Sequence, residues 1–169
     1  MQVNNHKIYF LKNRNLTSFV GLLFLILFFV QFFLKLEWQW LKGLQQEEMY
    51  KRWSGLFLAL FITFQWALTF SRVIVKFRRH SMYMARLHKW AGALSPIFFY
   101  MHSMGMGYGY LALLSYIFLA NALLGYINLD VIKNNNELLF KAWMIVHVAF
   151  SLIITILMFF HITMVFYYK

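Results

Sequence analysis

Four histidines lie inside apolar stretches in a repeated spacing: His88 and His102, then His147 and His161. Each pair is separated by 14 residues, and the second pair repeats the first 59 positions later. At about 100° and 1.5 Å per residue, such a pair falls only about 40° short of four helical turns and spans about 21 Å. Each pair therefore shares one helix face, at two levels within a bilayer core of roughly 30 Å. A single imidazole at depth can simply hydrogen-bond across a helix interface. Two unrelated interfacial pairs, however, have no reason to share both separation and register. Two parallel helices with this pattern offer two stacked bis-imidazole sites, a ligand set for two hemes in series. His6 and His80 lie outside the pattern, in basic stretches, and are assigned no such role.

The elements that must position these side chains are membrane spans. Of the 169 residues, 62% are hydrophobic, 21% aromatic and only 12% charged. A soluble domain is nearer half apolar, with about a quarter of its residues charged. The expected fold is an all-α integral membrane protein, five transmembrane helices forming a heme-binding bundle. Residues 1–16 form a basic N-terminus. The single membrane domain, 17–169, holds spans at about 17–36, 53–75, 84–104, 110–129 and 138–167. The first apolar run exceeds a signal-peptide core and lacks a small-x-small cleavage site, so it is expected to be retained. Trp38 and Trp40 follow it as interfacial anchors, and the polar connection 37–52 has room for a short surface helix. Pro96 lies between the histidines of the third span and is expected to kink or loosen it. A Met-Gly-Met-Gly-Tyr-Gly turn at 104–109 then reverses the chain.

The formal charge of +11 flanks apolar runs, which is a membrane pattern and argues against nucleic acid as a partner. With five alternating spans, eleven of the 16 Lys and Arg residues fall on the side of the N-terminus and the 76–86 loop, against five on the other. The positive-inside rule then places the N-terminus inside and the C-terminus outside, in a bacterial or mitochondrial inner membrane. The third and fifth spans run in the same direction. His88 is thus expected to meet His147 on the inner side, and His102 to meet His161 on the outer side.

Bis-histidine ligation fills both axial positions of iron and favours electron transfer over substrate binding at the metal. With no Cys in the chain, covalent attachment through C-x-x-C-H is excluded, and the cofactors expected are two heme b. Heme propionates need partners near the interfaces. On the inner side Arg72, Arg86, Lys89 and Lys141 are available, although each also suits interfacial snorkelling; Arg86 and Lys89 flank His88 most closely. The outer side offers Ser103, Tyr108 and Tyr110 as weaker hydrogen-bonding groups. Gly92, one turn beyond His88, leaves room either for a porphyrin edge or for a helix contact. Trp90 and Trp143 flank the inner site or serve as interfacial anchors.

The His88-x13-His102 helix, followed after one more helix by His147-x13-His161, resembles the ferric-reductase-like transmembrane family of di-heme b cytochromes. That family takes in ferric reductases, the membrane part of NADPH oxidases and the heme subunit of a bacterial methionine sulfoxide reductase system. The likeness covers about residues 50–167 and implies an oxidoreductase role in electron transport. Many relatives continue into a sixth span and a flavin- and nicotinamide-binding domain. This sequence runs to Lys169 without a G-x-G-x-x-G fingerprint. The expectation is therefore a subunit of a larger complex that receives electrons from a quinol or a redox partner protein.

Three readings stand on the sequence. The first is a membrane cytochrome b passing electrons across the bilayer through two hemes. The second is a quinone-reactive, heme-containing anchor of a respiratory complex. The third is a heme-free accessory subunit with structural histidines.

Overall fold

A computed structural model of the chain describes residues 3–127 and 137–168, with side chains from Leu16 onward. The connection 128–136, with Lys133 and the three consecutive Asn residues, lies outside the described residues. The described chain is all-helical: α1 (Val3–Phe33), α2 (Gln39–Gln46), α3 (Glu48–Phe64), α4 (Ala67–Val73), a 3-10 segment (Val75–His80), α5 (Ser81–His102), α6 (Tyr110–Tyr126) and α7 (Glu137–Tyr167).

Three stretches are long and apolar enough to cross a membrane: Leu16–Phe33, Glu48–Val73 and Glu137–Tyr167. Their apolar side chains face outward freely; Phe19, Leu60 and Ile156 are all more than half exposed, as lipid-facing residues are. The apolar α6 has 17 residues, about 25 Å of helix. The 22 residues of α5 extend about 33 Å, and carry Arg86, Lys89 and two histidines among their apolar positions.

Several boundaries differ from the sequence expectation: α1 already begins at Val3, inside the expected N-terminal stretch 1–16, and ends at Phe33, and α5 runs Ser81–His102 rather than 84–104. The second apolar segment starts at Glu48 rather than near Trp53, and it is interrupted at Gln65–Trp66. There the N–H groups of Gln65 and Trp66 turn back three residues, to Ile62 and Thr63. That tightening ends α3 and leaves α4 to start afresh, with Trp66 as its first carbonyl acceptor. The surface connection does hold a helix: α2 is pinned by Leu41, only 1% exposed.

α5, in contrast, runs unbroken through Pro96. Proline has no N–H, so the carbonyl four residues earlier loses its helical donor. That carbonyl belongs to Gly92. It accepts the Ser95 hydroxyl at 2.8 Å and the Tyr126 hydroxyl of α6 at 2.7 Å. The Tyr126 ring in turn packs on Gly21 of α1, where a β-carbon would stand 2.5 Å from it. The proline's missing bond thus ties α1, α5 and α6 together. Phe99 stacks on Phe118, with ring centres 5.2 Å apart, and meets Phe28 edge-on at 5.4 Å.

The packing leaves a gap at the centre. α1 lies against α5 and α6, while α5 and α7 each pack on α3 and on α6. α5 and α7, the helices that carry all four histidines of the pattern, hardly touch each other.

Candidate functional site

Across that gap the histidine rings meet in two pairs. His88 and His147 have ring centres 6.2 Å apart, with planes at 87°. His102 and His161 are 6.4 Å apart, at 62°. First pairs with first and second with second, so α5 and α7 run parallel.

The separation discriminates between kinds of metal site. An imidazole nitrogen sits about 2.0–2.1 Å from a first-row metal ion, with the ring centre about 1.1 Å further on. Two rings on opposite sides of one ion are then about 6.3 Å apart, whereas two rings on a tetrahedral ion are about 5.2 Å apart. The observed centre-to-centre distances equal the first of these values, and they also fall within the range of edge-to-face ring contacts. Among the described residues no three His, Cys, Asp or Glu side chains gather as a metal cluster. Each pair thus brings together two imidazoles and no third ligating side chain among the described residues.

The other ring nitrogens are mostly occupied by neighbours. Nδ1 of His88 lies 3.3 Å from the Gln65 carbonyl. A carbonyl only accepts, so Nδ1 carries the proton and Nε2 keeps its lone pair. This carbonyl is available because the break after α3 deprives it of a helical donor. Nδ1 of His102 lies 3.1 Å from the Ser54 hydroxyl, whose own proton points to the Lys51 carbonyl; the hydroxyl oxygen is left to accept. Nδ1 of His161 lies 3.4 Å from the Tyr110 hydroxyl. His147 differs: its buried Nδ1 has no hydrogen-bond partner, and its ring stacks on Trp143 at 5.7 Å and 3°. Trp143 is held there by its Nε1–H, which donates to the Leu124 carbonyl at 2.9 Å.

Gly55 lets the His102 ring approach α3, whereas the contact at Gly125 would also accommodate a β-carbon. At Gly55 of α3 a β-carbon would stand 2.8 Å from Cε1 of His102, and at Gly125 of α6 it would stand 3.5 Å from Cε1 of His147. Gly92 has open space on its side-chain face.

A cavity of about 470 Å³ surrounds the His102–His161 pair, within the usual range for cofactor pockets. Its apolar wall includes Leu58, Phe99, Phe118 and Met158, and its mouth is lined by Gln45, Glu48, Lys51, Arg52 and Ser103. Arg52 is largely covered and pairs with the exposed Glu48 at 3.3 Å. The His102–His161 level therefore has two cations that the sequence analysis assigned to a surface connection. Of the outer groups it named instead, Ser103 lines the cavity, Tyr110 reaches His161, and Tyr108 points away, 92% exposed. At the His88–His147 end Lys89 is half-buried, while Arg86 and Arg72 are exposed.

Gln65, Ser54 and Gly55 were also missed. The signal available was a polar residue inside an apolar run, which usually faces the bundle interior. Comparison with protein-family models, curated proteins and solved structures finds no match for this chain.

Proposed function

We propose that this chain is a b-type cytochrome, the heme-carrying membrane subunit of an oxidoreductase, moving electrons across the bilayer through two bis-histidine hemes. One observation carries the reading: two imidazole pairs, 6.2 and 6.4 Å between ring centres, stand between helices that otherwise hardly touch. Such a spacing would suit two imidazoles holding one heme between them; edge-to-face packing of rings spans the same distances, and it is the repeat of the pairing at two levels that favours heme. Heme, when bound there, would supply one-electron ferric–ferrous chemistry.

The chain's own residues do the rest. His88 and His147 would hold the inner group, and His102 and His161 the outer one. The Gln65 carbonyl and the Ser54 and Tyr110 hydroxyls fix ring orientation, as outer hydrogen bonds to metal-ligating histidines do. Lys51 and Arg52 provide positive charge for carboxylates at the outer mouth; Arg86 and Lys89 do so at the inner end. In this reading α1, α3 with α4, α5, α6 and α7 make five crossings, with the basic 76–86 stretch inside. That stretch, with Lys76, Arg78 and Arg79 exposed, suits an acidic electron-donor protein; a quinol is the other class of donor. The resemblance to ferric-reductase-like cytochromes points the same way.

Reconstitution tests the transport itself. Proteoliposomes with ferricyanide trapped inside are treated with external dithionite, and the trapped oxidant should be reduced at a rate that rises with protein content. The His102→Ala chain should lose that rate. A wild-type rate equal to that of protein-free vesicles would contradict the proposal.

A further inference from the structure

We infer that Gln45, at the end of α2, is a positioning residue for His102, so that a short helix outside the bundle sets the geometry of the outer site. His102 is the last residue of α5, and the last carbonyls of a helix have no donor within it. Here they receive donors from a segment more than 50 positions earlier. Nε2 of Gln45 donates to the Tyr100 carbonyl at 2.8 Å and to the Met101 carbonyl at 3.0 Å. The Tyr50 hydroxyl donates to the same Met101 carbonyl at 2.9 Å. The Gln45 carbonyl oxygen accepts from the Met104 N–H at 3.2 Å.

One carboxamide thus uses both of its donors and its acceptor, and its three bonds bracket His102 from either side. A helix end frays unless tied. Here the turn that frays would carry an imidazole that must stay opposite His161. α2 is itself anchored through the buried Leu41, and its corner with α3 is closed by the Glu47 N–H on the Leu44 carbonyl. Gln45 also lines the mouth of the cavity around His102 and His161, so the clamp and the site are one structure. Glutamate would keep the shape of Gln45 but lose both donors and set a charge against two carbonyls.

The consequence for heme rests on the function proposed above, whereas the clamp does not. Full-length wild type, Gln45→Ala, Gln45→Glu and Tyr50→Phe are compared in detergent by two readouts. Amide hydrogen exchange reports on residues 100–104, and low-temperature electron paramagnetic resonance reports on each low-spin heme separately. Gln45→Ala should exchange the Met104 amide about tenfold faster, the effect of one lost hydrogen bond; Gln45→Glu, which keeps an acceptor for that amide but loses both donors, and Tyr50→Phe should speed it less. The Gln45 variants should also shift the resonance of the heme lost in His102→Ala while leaving the other in place. Unchanged exchange at Met104 overturns the clamp. Faster exchange with both resonances unmoved, or with both altered alike, overturns its role in positioning His102. A wild-type chain without heme defeats the functional reading, and the exchange result still decides whether Gln45 holds the turn beside His102.

Discussion

Substituting Gly55 by alanine adds one carbon at the most crowded point beside the outer histidine pair. That carbon would stand 2.8 Å from Cε1 of His102 and 3.4 Å from both ring nitrogens. Comfortable carbon–carbon contact is about 3.5–4.0 Å, so the ring must retreat by roughly 0.7–1.2 Å. It has little freedom to do so: Nδ1 is tied to Ser54, and a ligating ring tolerates displacement of only about 0.5 Å. Overpacking of this kind costs about 1–3 kcal/mol. Charged wholly to the outer site, that is roughly a 5- to 150-fold loss of heme affinity there, at about 1.4 kcal/mol per factor of ten. The assay is the heme-to-protein ratio of purified Gly55→Ala, with a spectrum that resolves the two hemes during dilution or competition by apomyoglobin. The outer heme should leave first and the inner one should remain. If Gly55→Ala keeps both hemes with wild-type spectra and retention, the reasoning from ring position to ligation is wrong.

Other expectations follow from the same geometry. His88→Ala or His147→Ala should remove the inner heme and largely spare the outer, and His102→Ala or His161→Ala should do the reverse, read as the heme-to-protein ratio falling from two to one. Gly21→Ala, which sets a β-carbon 2.5 Å from the Tyr126 ring, should lower the melting temperature in detergent through about 1–3 kcal/mol of overpacking; an unchanged melting curve would show that the α1–α5–α6 tie matters little. A topology reporter after Lys169 should be active only outside the cytoplasm and one near Arg79 only inside, and both on one face would require the crossings to be redrawn.

The sequence carried the helical frame and the ring pairing because both depend on periodicity. Helix rise and twist alone bring His88 level with His147 and His102 level with His161 once α5 and α7 are parallel. What it hid are features made by long-range contact or by a missing backbone bond. The interruption at Gln65–Trp66 sits in an apolar run that reads as a continuous span, yet it frees the carbonyl that orients His88. Pro96 was legible as a disturbance, whereas its repair by Ser95 and Tyr126 was not, since Tyr126 lies 34 positions from Gly92. Lys51 and Arg52 looked like the flank of a span until α3 began at Glu48 and turned them toward the outer cavity. Gln45 is one of two adjacent glutamines in a polar connection, and only the folded chain singles it out.

The most direct test of the central claim is a dithionite-reduced minus air-oxidised spectrum of the purified chain, joined to a pyridine-hemochrome assay and a redox titration. Sharp low-spin b-type bands, two hemes per chain and two one-electron steps are the predicted result. A chain that folds and purifies without heme, or binds only a single heme that survives loss of all four histidines His88, His102, His147 and His161, would contradict it.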